Sequence, residues 1–153
     1  MRKDFVLDLI GDGDDRANLE QYVALNSLGQ CIIFHGFRQR NELPLFLAKS
    51  SCFLFQTDFD IWGLVLNEAM AAGVPCIASV NAAASFDLII ENETGFILNF
   101  ENTELVLKKI NFLLDNPDEV KRMGENAARF INKNASLSKS AEGFVSSLLN
   151  GRM

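Results

Sequence analysis

Short apolar runs of strand character alternate with stretches of helical periodicity over the first hundred residues, and that alternation limits the possible folds more than any other feature. Phe5–Ile10 (FVLDLI), Cys31–Phe34 (CIIF), Cys52–Phe55 (CFLF), Pro75–Ser79 (PCIAS) and Gly95–Leu98 (GFIL) read as strands. Each is short, rich in β-branched or aromatic residues, and bounded by turn residues. Helix-like segments separate them. Asp14 or Asp15 is positioned to N-cap a helix running to about Leu28, before Gly29, with Leu19, Tyr22 and Val23 on one face. A short helix starts at Asn41, where Pro44 is tolerated because it lies in the first turn. A third runs from about Trp62 to Ala72 and is closed by Gly73, and a helical turn falls near Phe86–Ile90. Strands alternating with helices in this way predict an α/β fold, a Rossmann-like three-layer domain with a parallel sheet flanked by helices.

The remainder reads as helical. Thr103–Leu114 is broken by Asn116-Pro117, Asp118–Asn132 follows, and Ser138–Leu149 forms a final segment carrying Phe144, Val145, Leu148 and Leu149. The expected organisation is one domain over residues 1–153, with a parallel β/α part at 1–100 and a helical tail at 101–153.

Composition excludes several classes. With 48% hydrophobic and 22% charged residues the chain is neither disordered nor collagen-like. A net charge of −6 argues against a nucleic-acid binder, which carries a basic stripe. Cys31, Cys52 and Cys76 each sit in an apolar run and read as reduced, buried thiols of an intracellular protein. Their spacing suits no metal site, and His35 is the only histidine. The uncharged stretch Ala69–Phe86 is interrupted by Gly73 and Pro75, so it divides into helix, turn and strand instead of spanning a membrane. No apolar stretch of signal length opens the chain. The thirteen phenylalanines read mostly as core.

In parallel sheets ligands bind outside the carboxyl ends of the strands. That singles out Gly11–Asp14, His35–Arg40 and Gln56–Gly63. Gly11-x-Gly13 follows a strand and precedes a helix, so it suits either a phosphate-holding turn or a simple tight turn. Arg16 occupies the third glycine position of a dinucleotide fingerprint, and Asp12, Asp14 and Asp15 would repel a pyrophosphate. His35 reads as structural, with no charged partner beside it in sequence, and Arg38 and Arg40 form the only basic pair near these loops.

The richest stretch is Asp58–Ser79. If the helix begins at Trp62 or Gly63, the amides of Gly63, Leu64 and Val65 lie in its first turn without intrahelical partners. With the helix dipole, such amides suit a diphosphate. Glu68, one turn on, and Asp60, in the loop, carry acceptor-only carboxylates suited to sugar or ribose hydroxyls. The alternative is that Asp60 caps the helix and Glu68 is solvated.

Residues 60–79, DIWGLVLNEAMAAGVPCIAS, resemble the signature of the group 1, or family 4, retaining glycosyltransferases, in which an acidic residue is followed by seven residues and a glutamate. Leu9-Ile10-Gly11-Asp12-Gly13, Ile33-Phe34-His35-Gly36-Phe37 and Thr94-Gly95-Phe96-Ile97-Leu98 resemble flanking elements of the same family, so the likeness runs from about Val6 to Phe130. It implies the C-terminal, donor-binding half of a two-domain GT-B fold, lacking the first βα unit with its G-R-x-x-x-x-K-G pattern. It also implies a nucleotide-diphosphate sugar as donor, no metal or other cofactor, and retention on transfer to a glycan or lipid-linked acceptor. By position, Glu68 would bind ribose, Asp60 the transferred sugar, and the Gly63, Leu64 and Val65 amides the diphosphate. Gly11, Gly13, Gly36, Phe37 and Arg38 would lie near the base or phosphates, Trp62 would pack under the loop, and no residue here would be catalytic by itself. Asp60 stands where glutamate is usual, Ala83 for a glycine and Phe86 for a proline.

The expected partner is an acceptor-binding domain or separate chain, and the expected location is the cytoplasm, with the complete enzyme peripheral at the inner face of the membrane. The alternative is a truncated, non-catalytic relative that works as an interaction module and self-associates or binds another chain.

Overall fold

The computed structural model describes residues 2–135 and Ser146, so all of the predicted segment Ser138–Leu149 except Ser146 lies outside the described residues. The fold divides between Leu43 and Pro44 into two compact units.

In the first unit β1 (Leu7–Ile10) leads through α1 (Arg16–Leu25) to β2 (Ile32–Gly36), and the two strands pair in parallel, Asp8 opposite Ile33 and Leu9 opposite Phe34. The helix is shorter than its periodicity suggests. Ser27 takes a positive φ of 54°, and the chain turns there to reach β2 through bonds from the Cys31 and Ile32 amides to the Leu28 carbonyl. Of the expected apolar face only Val23 is buried, while Leu19 and Tyr22 are exposed. Asp15 occupies the N-cap position, but neither it nor Asp14 caps α1 through its side chain.

The second unit opens with α2 (Leu43–Leu47), whose Pro44 lies in the first turn, followed by β3 (Phe53–Phe55), α3 (Leu64–Ala71), β4 (Cys76–Ser79), α4 (Ala83–Leu88) and β5 (Gly95–Leu98). The strands form a parallel sheet in the order β3-β4-β5. β4 is central and buried throughout, as its uninterrupted apolar sequence requires. Two apolar clusters include residues from alternate positions of these strands. One gathers Cys76 and Ala78 with Leu66, Ala69, Met70, Leu88, Ala127 and Ile131, and the other gathers Ile77 with Phe96, Leu98, Val106, Leu113 and Met123. That alternation is the period of a strand covered on both faces.

Two further helices complete the unit. In α5 (Thr103–Asp115) the Asn102 carboxamide oxygen accepts from the Leu105 amide at 3.1 Å, and α6 (Pro117–Asn134) starts at the proline expected to open it. α6 packs against α3 at a contact that only glycine allows. A Cβ on Gly124 would lie 2.0 Å from the Gly73 carbonyl oxygen. α6 is further pinned by Arg122 and Asn126, whose side chains donate to the carbonyls of Asn92 (2.9 Å) and Glu93 (3.1 Å). The base of α3 is thereby fixed, and with it the position of its N-terminus.

The three cysteines are free thiols; Cys31 and Cys76 are buried and Cys52 is half-buried. Of the described phenylalanines only Phe96 is fully buried, and Phe37, Phe59 and Phe86 are exposed, contrary to the expectation of a largely phenylalanine core. Among the described residues no helix is long and apolar enough to cross a membrane.

Candidate functional site

α3 starts two residues later than its sequence predicts, because Gly63 sits at its N-cap in the left-handed region, with φ 64°. A Cβ at that position would fall 2.6 Å from Cε1 and 2.9 Å from Cζ of Phe55, the last residue of β3. Phe55 therefore supports the turn, and its ring stacks at 6.0 Å on that of Phe53. Trp62, expected to pack beneath this loop, is 43% exposed. The glycine brings the backbone down onto the Phe55 ring and leaves no space there for an indole.

The abrupt start leaves the Leu64 and Val65 amides at the positive end of the helix without an acceptor among the described residues, whereas the Leu66 amide donates to the Gly63 carbonyl at 2.8 Å. The loop before it is held through Asp60. Its Oδ1 accepts from the Trp62 amide at 2.8 Å, a local carboxylate-to-backbone turn and not a cap on α3. The Asp60 amide donates to the Asn81 carbonyl at 3.2 Å, and the Asp60 carbonyl accepts from the Ala83 amide at 3.0 Å. The loops after β3 and β4 are thus joined by a short parallel bridge between Asp60 and Ala82. Ala82 has an ordinary negative φ of −91°, so this segment needs no glycine for its conformation, and the Ala83 amide is used within the protein. Glu68 lies one turn into α3 and is half-buried. The structure brings Asp60, Gly63, Leu64, Val65 and Glu68 into one continuous loop and helix start. Beside Glu68, Asn67 has a buried Oδ1 with no hydrogen-bond partner among the described residues, a feature sequence reasoning did not single out.

The first unit holds the other candidates. The Gly11 amide donates to the Gly36 carbonyl at 2.9 Å, tying the two strand ends together. Asp12 caps the Gly13 amide through Oδ1 at 3.0 Å, and its Oδ2 accepts from Arg16 Nη1 at 3.2 Å. Arg16 also donates to Glu20 at 2.8 Å, and this bond, ahead of the field of Asp12, raises the guanidinium above its ordinary pKa. A Cβ on Gly36 would lie 3.1 Å from Arg16 Nη1, so this arginine reaches the turn after β2. Its acidic partners at i−4 and i+4 were the sequence signal that could have found it. Phe37 projects with 71% exposure, and Arg38 is within 3.5 Å of Glu42. His35 has an acidic partner after all. Its Nε2 lies 2.6 Å from Asp8 Oδ1 on the neighbouring strand, a pairing invisible in sequence because 27 residues separate them.

Comparison with known proteins adds three findings. The family described as "Glycosyl transferases group 1" matches residues 1–130. The N-acetyl-alpha-D-glucosaminyl L-malate synthase of Bacillus anthracis is 33% identical over 119 residues, covering 78% of this chain and 30% of that protein. Among solved structures, Anabaena HepE crystallised with UDP superimposes with a TM-score of 0.85 at 20% identity, over 95% of this chain and 41% of that one. The C-terminal domain of a group 1 glycosyl transferase from Francisella tularensis superimposes with a TM-score of 0.72 at 24% identity, over 80% of this chain and 63% of that one. The chain thus shares a GT-B half-domain fold with these structures, and it spans 36% and 30% of the lengths of the first two curated relatives it matches.

Proposed function

Because the chain belongs to glycosyl transferases group 1, we propose that it is the donor-binding domain of a glycosyltransferase, holding the nucleoside diphosphate of a nucleotide-sugar. One observation carries the reading: two unengaged amides, of Leu64 and Val65, open α3 immediately beyond a left-handed glycine, with Asp60 and Glu68 on either side in sequence. Diphosphate oxygens accept hydrogen bonds from such amides, and the positive end of the helix dipole stabilises the charge that develops on the leaving nucleotide. Glu68 accepts from the ribose hydroxyls. Asp60 has one carboxylate oxygen committed to the Trp62 amide, so its other oxygen is the one offered to the transferred sugar. In the first unit Gly11, Gly13, Gly36, Phe37 and Arg38 are assigned contacts to the base or phosphates. The donor needs no metal in this scheme, since backbone amides take the leaving-group charge. Support comes from the UDP held by the similar Anabaena structure.

The parent reaction is transfer with retention to a glycan or lipid-linked acceptor. The acceptor site is supplied by a further domain or partner chain, so these 153 residues alone bind donor without transferring it. The test is calorimetric titration of the chain with UDP, GDP and ADP beside Glu68→Ala. Binding of one nucleotide that is lost in the variant supports the reading, and no binding of any at millimolar ligand sinks it. A second reading, a non-catalytic relative acting as an interaction module, is favoured by the Ala83 amide, which bonds Asp60 and is not offered to a ligand. Nucleotide binding with an unaltered affinity in Glu68→Ala would favour that module.

A further inference from the structure

The two edges of the β3-β4-β5 sheet are finished differently. In a parallel ladder alternate residues bond to one neighbour and the residues between them point away. On β5, Gly95 and Ile97 face outward, and both are satisfied. The Gly95 carbonyl accepts from the Asn92 amide at 3.0 Å, and the Ile97 amide donates to the Glu91 carboxylate at 3.0 Å. On β3, the Phe53 amide bonds inward to the Pro75 carbonyl at 3.0 Å, which sets Leu54 outward. Neither the amide nor the carbonyl of Leu54 has a partner among the described residues. β3 also lacks every device by which proteins blunt an edge: it contains no charge, no proline and no bulge.

The chemistry around this edge says what fits it. Phe53 and Phe55 pack against the cluster on one face of the sheet, and Cys52 and Leu54 against the cluster on the other. A segment pairing with Leu54 would therefore meet apolar surroundings on both faces, the setting of an interior strand in a doubly covered parallel sheet. A polar or alternating peptide would bury its polar side chains there. All five described strands are already paired, and the chain spans only 36% and 30% of its first two curated relatives, which carry further polypeptide.

We propose that the outer edge of β3 is a docking edge for one parallel strand, apolar on both faces, supplied by polypeptide outside these 153 residues. The strand bonds to the Leu54 amide and carbonyl and extends the sheet to four strands. This inference stands apart from the donor-site reading, since it uses neither Asp60 nor Glu68.

Amide exchange followed by NMR on the dilute, full chain tests it, using as probe a short synthetic peptide of valine and isoleucine flanked by lysines. In the chain alone the Leu54 amide exchanges much faster than that of Ile97, and saturating peptide slows it by about tenfold or more while leaving Ile97 unchanged. Leu54→Pro deletes only an outward N–H, a change edge strands accept, and abolishes the response with the circular dichroism of the fold retained. The wild-type comparison stands even if that variant fails to fold. The proposal is overturned if peptide leaves Leu54 unprotected. It is equally overturned if Leu54 is already as slow as Ile97 without peptide, or if its protection rises with chain concentration alone, which would make a second copy the occupant.

Discussion

Phe55 forms the floor of the turn at Gly63: the backbone comes so close to the ring that a Cβ would lie 2.6 Å from Cε1. The end of β3 and the start of α3, eight residues apart, are thereby coupled. Any side chain at position 63 must both adopt φ 64° and displace an aromatic ring stacked on Phe53.

Gly63→Ala is expected to destabilise the chain by about 2 kcal/mol or more, combining the left-handed penalty for a residue with a Cβ with overpacking against the ring. Adding Phe55→Leu should recover stability only in part, because it relieves the overlap and not the dihedral strain. Urea unfolding of the single and double variants measures both. If the single variant proves as stable as wild type, the turn is not built as described.

Asp60 is expected to separate into two roles. Asp60→Asn keeps an oxygen for the Trp62 amide, so stability should stay near wild type, while Asp60→Ala should cost about 0.5–1.5 kcal/mol. Affinity for a nucleotide-sugar, as distinct from the nucleoside diphosphate alone, should fall in both. Equal loss of stability in the two variants would show that the 2.8 Å bond contributes nothing.

Gly124→Ala tests the crossing of α3 and α6. Its methyl would meet the Gly73 carbonyl at 2.0 Å, and two helix backbones yield less readily than side chains do. A loss near the upper end of the ~1–3 kcal/mol range for overpacking is expected. A melting temperature equal to that of wild type would contradict the close approach.

The cysteines predict an alkaline limit. Burial pushes the Cys52 thiol from 9.0 up to about 12, and burial, with Cys52 nearby, pushes Cys76 well above 9.0. Above pH 9 the unfolded thiols lose protons that the folded thiols keep. Stability from this source is thus fully present below about pH 9 and is lost as pH rises toward 12. The unfolding free energy should fall with pH across that window, and less steeply in Cys52→Ala. Identical slopes in the two proteins would show that the Cys52 thiol is not buried in this way.

Much of the architecture was legible because its causes are local. Strand runs of four or five apolar residues, the proline opening α6 and the asparagine ahead of α5 each act within a few residues. The length of α1 was misjudged because a left-handed Ser27 ends it where periodicity alone would continue. Trp62 was misplaced for a related reason: aromatic character says that a residue packs somewhere, while Phe55 had already filled the position beneath the loop.

The sequence by itself determined the order of strands and helices, the family signature from Asp60 to Ser79, and the placement of Gly63, Leu64, Val65 and Glu68 on one helix start. Those follow from backbone preference and side-chain period, which neighbouring residues settle among themselves. Only the tertiary structure decided that Asp8 pairs with His35, that Arg16 reaches Gly36, that the Asp60 carbonyl takes the Ala83 amide, and that Glu91 closes one edge of the sheet while Leu54 lies open at the other. Each of these depends on which segments the chain reversal brings side by side, and no local propensity encodes that.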